Sequence, residues 1–228
     1  MKLSIIIPVY NERRTIEIVL RKVRDVAIDA EKEIIVVDGG SIDGTREILA
    51  RCADSSGLRV IFEEEPRGRG HALKEGLKRA GGDVVIFQDA DLELDPADYP
   101  QLIAPIQAGK ADVVFGSRFL SGRPRMRFLQ YWGNRAINAS VNLLYGTRLT
   151  DVETCYQVFR RELIKDFKLV NNDFAFTVEL TVKLIKAGHS ILEIPITYIP
   201  RGRAEGKKIY WADGFLSLWT LLKCRFVD

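Results

Sequence analysis

The chain has 228 residues, of which 46% are hydrophobic and 29% are charged. This composition provides enough apolar side chains for a core and excludes disordered and collagen-like proteins. The 34 basic and 31 acidic residues leave a net charge of +3, and so small an excess excludes a general nucleic-acid-binding surface. The length fits one domain, so we expect a single domain over residues 1–228.

The cysteines and the apolar segments indicate the cellular compartment of the protein. Cys52, Cys155 and Cys224 are too few and too widely spaced for a disulfide framework or a paired-cysteine metal site. The first apolar run, residues 3–9, is too short for a secretory signal, and no segment reaches the roughly 20 apolar residues of a membrane-spanning helix. These features predict a cytoplasmic protein.

Strand and helix patterns alternate through the first half of the chain. Short, almost wholly apolar runs predict buried strands at residues 3–9, 33–38, 59–63, 83–89 and 112–115. Helical patterns lie at residues 13–30, 44–53, 70–80 and 96–108. Apolar strands that alternate with helices are typical of a parallel sheet with helices on both faces. We therefore predict an α/β fold whose ligands lie beyond the carboxyl ends of the strands.

The second half is less regular. Residues 125–145 predict a long helix interrupted by Gly133, and residues 179–187 a helix ended by Gly188. Residues 191–198 predict a strand that Pro195 restricts to an edge. A polar, basic loop over 200–208 then precedes an amphipathic helix over 209–226.

Two carboxylates separated by one residue follow the predicted strand 83–89. Asp89 and Asp91, with Glu93 nearby, offer hard oxygen ligands that Mg²⁺ or Mn²⁺ could bridge to a diphosphate. The alternative is that Asp89 caps the next element and Asp91 is merely solvated.

The strand that ends at Asp38 leads into a glycine-containing turn with Ser41, Asp43 and Thr45. Glycines allow a backbone to approach a ligand closely, and the three polar residues suit the cap of the next helix. Ordinary turn chemistry explains the same residues without a ligand.

The first strand runs into a turn with Pro8, Tyr10 and Glu12. Tyr10 could stack on a base and Glu12 could accept hydrogen bonds from a ribose or base, although such a turn is weak evidence alone. The three turns together are stronger evidence, because all of them lie at the same end of predicted neighbouring strands.

In order and spacing, these segments resemble family 2 inverting glycosyltransferases with the GT-A fold. The motifs are Pro8-Val9-Tyr10-Asn11-Glu12, Asp38-Gly39-Gly40-Ser41-Ile42-Asp43-Gly44-Thr45, Pro66-Arg67-Gly68-Arg69-Gly70-His71-Ala72 and Asp89-Ala90-Asp91-Leu92. Further segments resemble the branch with dolichyl-phosphate mannose synthase and bacterial polyprenyl-phosphate sugar transferases: Gly116-Ser117-Arg118-Phe119, Thr150-Asp151-Val152-Glu153-Thr154-Cys155-Tyr156 and the loop 201–208. The resemblance implies a GT-A, Rossmann-like, mostly parallel sheet, with a nucleotide-sugar-binding half over 1–118 and an acceptor-side half over 119–228.

The resemblance also implies roles for the donor-side residues. The nucleotide sugar would be bound by Pro8, Tyr10, Glu12, Asp38, Asp43, Asp89 and the loop residues Arg201, Arg203 and Lys208. The metal, Mg²⁺ or Mn²⁺, would be bound by Asp89, Asp91 and Glu93. Glu93 stands where well-known mannose synthases have Gln, so the donor sugar stays open between GDP-mannose and UDP-glucose. Asp38-Gly39 replaces the commoner Asp-Asp, so one possible ligand to the nucleotide is missing, although Asp43 remains.

On the acceptor side, the resemblance makes Arg118 the contact to the acceptor phosphate, and a guanidinium suits a phosphate dianion. A second arginine would be Arg127 or Arg135, with a solvated helix face as the alternative for each. The catalytic set is then Asp91, Arg118 and Asp151. A polyprenyl phosphate acceptor needs no strong base, whereas a hydroxyl acceptor would need Asp151 or Glu153 as base.

Other readings stay open at this point. A non-catalytic nucleotide-sugar-binding subunit is one alternative, and a sugar-phosphate nucleotidyltransferase is disfavoured because no Gly-rich basic loop follows the first strand. The last helix could rest at the inner face of a membrane as a peripheral contact or pack on the core. Its apolar residues are Trp211, Phe215, Leu218, Trp219, Leu222 and Phe226.

Overall fold

The structure, a computed structural model, describes residues 1–53, 57–201 and 211–226, without the side chains of residues 211–213 and 215. A sheet of seven strands has the order β3-β2-β1-β4-β6-β5-β7. The strands are β1 (Lys2–Val9), β2 (Glu31–Asp38), β3 (Leu58–Phe62), β4 (Val84–Phe87), β5 (Val113–Ser117), β6 (Gln157–Arg160) and β7 (Ile191–Pro195). The predicted mostly parallel α/β sheet is confirmed.

Helices cover the sheet. They are α1 (Ile16–Asp25), α2 (Thr45–Cys52), α3 (Arg69–Arg79), α4 (Tyr99–Gln107), α5 (Phe128–Tyr145), α6 (Ala175–Lys186) and α7 (Trp211–Phe226). Short 3₁₀ turns lie at Pro96–Asp98 and Arg161–Ile164.

Strands β1 to β4 pair in parallel, and β5 pairs in parallel with β7. Between these two groups lies β6, which is antiparallel to both β4 and β5. Strand β7 is at the edge of the sheet, as Pro195 predicted. Pro8 is tolerated within β1 because β1 pairs with β4 only over residues 3–6, so its missing N–H costs no bond on that side.

The main core lies between the sheet and the helices. Ile5, Ile6 and Ile7 in β1 are fully buried, which is the burial on both faces that an apolar run predicts. Phe87 packs edge-on against Phe159 and Phe176, with centroid distances of 5.5 and 5.9 Å. Each fully buried side chain of this size contributes about 1.5–3 kcal/mol of transfer free energy.

Several elements differ from the sequence-based expectation, and three of them are informative. Helix α1 is shorter than residues 13–30, because the chain leaves the helix at Val26 with ψ 124°. Helix α5 continues through Gly133, where an added Cβ would meet none of the described atoms within 4 Å. The expectation missed β6, which has only four residues and includes Gln157 and Arg160.

The last helix packs on the protein. Leu221 and Cys224 of α7 are buried in a second apolar cluster with Ile137 and Val141 of α5, and the Tyr145 hydroxyl donates to the Leu221 carbonyl at 3.0 Å. Within the described residues, no helix combines the length and apolar character that a membrane span requires.

Candidate active site

The turns singled out in the sequence meet at one edge of the sheet. They follow β1, β2 and β4, which are adjacent and parallel. Parallel strands place their carboxyl ends together, so side chains far apart in the sequence face the same space. The predicted convergence of these motifs is present in the fold.

Side chains join the turns after β1 and β2. The Asn11 amide donates to Ser41 Oγ at 2.8 Å, and the Ile42 amide donates to Asn11 Oδ1 at 2.9 Å. The Glu12 amide donates to Thr45 Oγ1 at 2.9 Å. Asn11 has φ 51°, a left-handed conformation that asparagine adopts more readily than most residues. Three hydrogen bonds therefore join the two turns into one unit.

Arg201 ties the turn after β1 to the turn after β4. Its Nη1 lies 2.9 Å from Glu12 Oε2, and its Nη2 lies 2.8 Å from Asp91 Oδ2. One guanidinium thus spans carboxylates that are 79 positions apart, and it comes from the start of the basic loop 200–208. Arg203 and Lys208, predicted from the same loop, lie outside the described residues.

The turn after β4 is locally strained. Leu92, between Asp91 and Glu93, has φ 64°, which is unfavourable for a leucine. The Glu93 amide donates to Asp91 Oδ1 at 3.0 Å, and Glu93 accepts from the Arg201 amide and the Tyr198 hydroxyl. Burial, together with the negative charges of Asp89 and Glu93, raises the pKa of Asp91 to about 7.

Buried polar groups next to β4 stabilise the turn that carries Asp89 and Asp91. Gln88 is fully buried, and its Oε1 accepts from the hydroxyls of Tyr99 and Tyr156, both at 2.8 Å. Its Nε2 donates to the Asp89 carbonyl at 2.9 Å. The bond to the Asp89 carbonyl fixes the backbone at the first of the two aspartates.

The donor chemistry of Asp89 and Asp91 fits a divalent cation. Both offer hard carboxylate oxygens, and a cation would relieve the crowded negative charge that raises the pKa of Asp91. Glu93 instead bonds to Tyr198 and the Arg201 backbone. Within the part of the chain that the structure describes, no three acidic, histidine or cysteine side chains form a ready metal site.

Arg69 is a site residue to which the sequence analysis gave no role. It lies at the first position of α3 and pairs with Asp89 Oδ1 at 2.9 Å. The preceding Gly68 has φ 96°, and a Cβ there would collide with the carbonyl oxygen of Asn172. The glycines around Arg69 were the available signal, because they let the start of α3 approach the neighbouring loop closely.

The remaining nucleotide-side candidates differ in their surroundings. Tyr10 is 38% exposed at the rim, whereas Asp38 is fully buried, and its Oδ2 accepts from the Ser41 amide at 3.2 Å. Asp43 accepts from the Thr45 amide at 3.0 Å and from the Arg13 amide at 3.1 Å. In this structure Asp43 therefore joins the turn after β1 to the turn before α2.

Arg118 and Asp151, which were predicted for the acceptor side, form a buried pair. Asp151 Oδ2 accepts from the Arg118 amide at 2.9 Å and from its Nε at 2.7 Å, and Oδ1 accepts from Nη2 at 2.7 Å. Asp151 is fully buried. A carboxylate in this arrangement orients the guanidinium, and neither oxygen is presented to an acceptor hydroxyl.

The loop that carries Asp151 is held by neighbouring elements. Glu193 of β7 accepts from the amides of Thr150 and Asp151 at 2.8–3.0 Å. Asn138 of α5 accepts from the Val152 amide at 3.0 Å. Asn134, one turn earlier in α5, accepts from Arg118 Nη2 at 3.0 Å. The sequence analysis missed these supports because they join distant elements.

The other acceptor-side candidates lie further out. Arg127 and Arg135 are exposed on either side of Asn134, and in the described residues no hydrogen bond or ion pair joins either one to Arg118. Glu153, the second candidate base, is half-buried and accepts from Ser217 Oγ of α7 at 2.9 Å.

Comparison with known proteins shows similarity to one family over most of the chain. Residues 4–167 match the family model "Glycosyl transferase family 2". Glycosyltransferase AglJ of Haloferax volcanii is 33% identical over 86% of this chain, and undecaprenyl-phosphate mannosyltransferase of Micrococcus luteus is 30% identical over 91%. The chain spans 63% of the length of AglJ and 87% of the length of the Micrococcus protein. Dolichol-phosphate mannosyltransferase of Pyrococcus furiosus is 31% identical over 91% of the chain, which spans 59% of that protein.

Solved structures show the same fold. Glucosyl-3-phosphoglycerate synthase from Mycobacterium tuberculosis matches all of this chain with a TM-score of 0.76 at 24% identity, and 81% of its own chain is covered. This similarity confirms the GT-A fold that the motifs predicted. Because the family model covers most of the chain and strands β1, β2 and β4 bring its motifs together, the protein belongs to glycosyl transferase family 2.

Proposed function

We propose that the protein transfers a hexose, with inversion, from a nucleoside diphosphate sugar to a polyprenyl phosphate. The observation that carries the proposal is the bridge from Arg201 to Glu12 and Asp91. It joins residues from three parts of the chain around one space that is suited to a charged diphosphate. The names of the Micrococcus and Pyrococcus relatives, which are polyprenyl- and dolichol-phosphate mannosyltransferases, support the choice of acceptor.

On the donor side, Pro8, Tyr10, Glu12 and Asp38 would surround the nucleoside. Pro8 is buried at the end of β1 beside β2, whereas Tyr10 is exposed enough to stack on a base. Arg201 would exchange its carboxylate partners for the diphosphate when donor binds, because a guanidinium also pairs well with phosphate. Arg203 and Lys208 follow in the same loop and would add positive charge.

Asp89 and Asp91 would hold Mg²⁺ or Mn²⁺. A solved structure of the Mycobacterium synthase contains Mn²⁺ and uridine diphosphate, which supports the same class of cofactor here. When bound, such an ion supplies positive charge to a departing diphosphate. Arg69, which is paired with Asp89 at 2.9 Å, keeps that carboxylate oriented.

On the acceptor side, Arg118 would bind the lipid phosphate. Asp151 and Asn134 fix its Nε and Nη2, and the Tyr198 ring lies 5.5 Å from the guanidinium carbon. A guanidinium fixed in this way loses little conformational entropy when a phosphate arrives. We propose Arg127 or Arg135 as a second, outer contact that lies closer to solvent.

The chemistry follows from these positions. One phosphate oxygen of the acceptor attacks the anomeric carbon, the bond from that carbon to the diphosphate oxygen breaks, and the nucleoside diphosphate leaves with the bonding electrons. The acceptor oxygen is already ionised near neutral pH, so no residue has to remove a proton. A buried, ion-paired Asp151 is consistent with that requirement. Arg118 and Arg201 act by positioning and by electrostatic stabilisation.

The surface beside Arg118 suits a lipid acceptor. Phe128, Leu129 and Trp132 of α5 are 72%, 71% and 53% exposed, within two turns of Asn134. Residues 113–150 contain six arginines and no acidic residue. Exposed aromatic side chains beside arginines favour contact with an anionic membrane surface, so we place the peripheral membrane contact at the start of α5.

A two-phase transfer assay tests the proposal. Purified protein is incubated with Mn²⁺ or Mg²⁺, radiolabelled GDP- or UDP-sugars and a short polyprenyl phosphate, and label is counted in the organic phase. We expect metal-dependent label with one donor. Arg118→Ala should raise the KM for the acceptor, whereas Arg148→Ala, a change at an exposed arginine on the same half, should not.

Two other outcomes would overturn the proposal. Nucleotide release with a soluble hydroxyl acceptor and no lipid label would assign the protein to a hydroxyl-acceptor reaction, with Glu153 as the next base to test. Donor binding without transfer to any acceptor would support a non-catalytic subunit.

A further inference from the structure

A short segment after strand β7 runs from the acceptor side of the site to the donor side. It consists of residues 196–201 and is called the connecting segment below. At its start, the Ile196 amide donates to the Ser117 carbonyl at 3.2 Å, next to the acceptor-side arginine. At its end, the Arg201 guanidinium pairs with Asp91 at 2.8 Å. Six consecutive residues therefore join the two sides.

The donor-side half of the connecting segment is bonded to the turn after β4. Tyr198 forms an isolated antiparallel bridge with Leu94. The Ile199 amide donates to the Glu93 carbonyl at 2.9 Å, and the Arg201 amide donates to Glu93 Oε1 at 2.9 Å. These bonds fix the position of the connecting segment relative to that turn.

Tyr198, in the middle of the connecting segment, contacts both sides through its side chain. Its hydroxyl donates to Glu93 Oε2 at 3.2 Å. Its ring centroid lies 5.5 Å from the guanidinium carbon of Arg118, which is within the range of a cation–π contact. One side chain therefore joins a donor-side carboxylate to the acceptor-side guanidinium.

Each of these two partners is also held within its own side. Asp151 and Asn134 bind the guanidinium of Arg118, and Glu93 accepts from the Arg201 amide. Loss of the tyrosine hydroxyl would therefore leave both sites formed and would remove a bond between them. The quantity that changes is the placement of one site relative to the other.

The proposed transfer depends on that relative placement. The acceptor phosphate would lie at Arg118, and the diphosphate would lie at Asp91 and Arg201, so the hexose has to lie between them. The attacking oxygen, the anomeric carbon and the leaving oxygen must be aligned for the bond to form. A displacement of about 1 Å can lower a transfer rate by about a hundredfold, even when both substrates stay bound.

We propose that Tyr198 is a positioning residue that fixes the acceptor-phosphate site relative to the donor-diphosphate site. The inference rests on the proposed function, since it assumes that a sugar passes from one site to the other. The hydroxyl acts through Glu93 and the ring acts through Arg118, and neither has to touch the reacting atoms. Loss of the hydroxyl should slow the transfer step more than it weakens the binding of either substrate.

Tyr198→Phe tests the hydroxyl, because it removes that group and keeps the ring. Single-turnover transfer is measured with Mn²⁺, radiolabelled nucleotide sugar and a short polyprenyl phosphate, so that product release does not limit the rate. We expect the rate at saturating acceptor to fall by about tenfold or more, which corresponds to one lost bond to a charged group. The half-saturating acceptor concentration and the nucleotide affinity, from calorimetry with Mn²⁺, should change by less than about threefold.

Tyr131→Phe is the matched control for this variant. Tyr131 is another half-buried tyrosine in the second half of the chain, and its ring packs against Phe119 and Trp132. Its hydroxyl is not part of the proposed connection between the two sites. The single-turnover rate of the control should therefore equal that of wild-type protein.

Tyr198→Leu tests the ring, because it removes the cation–π contact together with the hydroxyl. We expect the half-saturating acceptor concentration to rise by about threefold or more over that of Tyr198→Phe, since the guanidinium of Arg118 loses a contact. Nucleotide affinity should stay at the value of Tyr198→Phe, which also shows that the variant is folded. An acceptor concentration equal to that of Tyr198→Phe would refute the role of the ring.

The remaining outcomes separate this inference from the proposed function. A single-turnover rate of Tyr198→Phe equal to that of Tyr131→Phe would overturn the positioning role and leave the proposed transfer intact. A loss of nucleotide affinity as large as the loss of rate would do the same, because the hydroxyl would then serve donor binding alone. If wild-type protein transfers no label to the polyprenyl phosphate, the proposed function itself is contradicted.

Discussion

Replacing Asp151 by alanine would leave a guanidinium buried without its counter-ion. In the native structure, three Arg118 donors end on Asp151 at 2.7–2.9 Å, and the carboxylate is fully buried. The variant keeps the Asn134 contact to Nη2 and loses every bond to Asp151. Desolvation of the cation is then no longer offset by an opposite charge.

The loss of stability can be estimated because Asp151 is fully buried. Removing one partner of a buried ion pair costs about 3–5 kcal/mol. For a chain of this length, that corresponds to a decrease of about 6–20 °C in Tm. Asp151→Asn keeps one oxygen acceptor, so its loss of stability should be smaller.

The assay combines thermal unfolding with acceptor kinetics. Far-UV circular dichroism gives the Tm of wild-type protein, Asp151→Ala, Asp151→Asn and the control Asp166→Ala, whose carboxylate is exposed. Transfer is then measured with Asp151→Asn across pH. If Asp151 orients Arg118, the KM for the polyprenyl phosphate rises, nucleotide affinity stays unchanged, and the pH profile keeps its shape.

A general base at this position would give a different pattern. The kcat of Asp151→Asn would collapse at unchanged KM, and the acidic limb of the pH profile would disappear. A Tm for Asp151→Ala equal to that of Asp166→Ala would also refute the reasoning, because it would mean that the buried pair carries no net stability.

Three further perturbations test other parts of the site. Gly68→Ala should lower the free energy of unfolding by more than about 1 kcal/mol in urea titration, because φ is 96° and the new Cβ would collide with the Asn172 carbonyl. Joint replacement of Phe128 and Trp132 by serine should weaken co-sedimentation with phosphatidylglycerol vesicles by about tenfold or more, since the exposed aromatic area is lost. Asp91→Asn should abolish Mn²⁺-dependent GDP or UDP binding in calorimetry, because a hard carboxylate ligand is removed.

For each of these three variants, one result would contradict the prediction. Unchanged unfolding of Gly68→Ala would mean that α3 does not need its close approach to the loop. Equal vesicle binding by the serine variant and by Val170→Ser, a change at an exposed apolar residue outside α5, would remove α5 as the membrane contact. Metal-dependent binding that persists in Asp91→Asn would show that the metal is held elsewhere.

The sheet edge could be predicted from the sequence because its signals are local. Apolar runs at β1, β2 and β4 predict parallel strands, and each run ends in a polar turn. Parallel pairing then brings Glu12, Asp38 and Asp91 to one edge without any further information. The family resemblance came from the same turns.

Strand β6 could not be predicted in that way. It has four residues, two of them polar, and its place between β4 and β5 depends on antiparallel pairs that form only in the folded sheet. Helix α5 shows the opposite case: Gly133 is unfavourable within a helix by about 1 kcal/mol, yet burial of Ile137 and Val141 keeps the helix continuous.

The contacts between the site residues could not be predicted without the fold. Arg201 reaches Asp91 across 110 positions, and Asp151 reaches Arg118 across 33. Sequence analysis identified Arg118 and Asp151 separately and left Asp151 as a candidate base. Only the three bonds between them indicate that the carboxylate orients the guanidinium.

The central claim is that the acceptor is a phosphate, and paired acceptors test it most directly. Wild-type protein is given its labelled donor with a polyprenyl phosphate or with the phosphate-free polyprenol of the same chain length, and product is counted in the organic phase. The account predicts label with the phosphate and none above background with the alcohol. Equal label with both, or label with the alcohol alone, would contradict it.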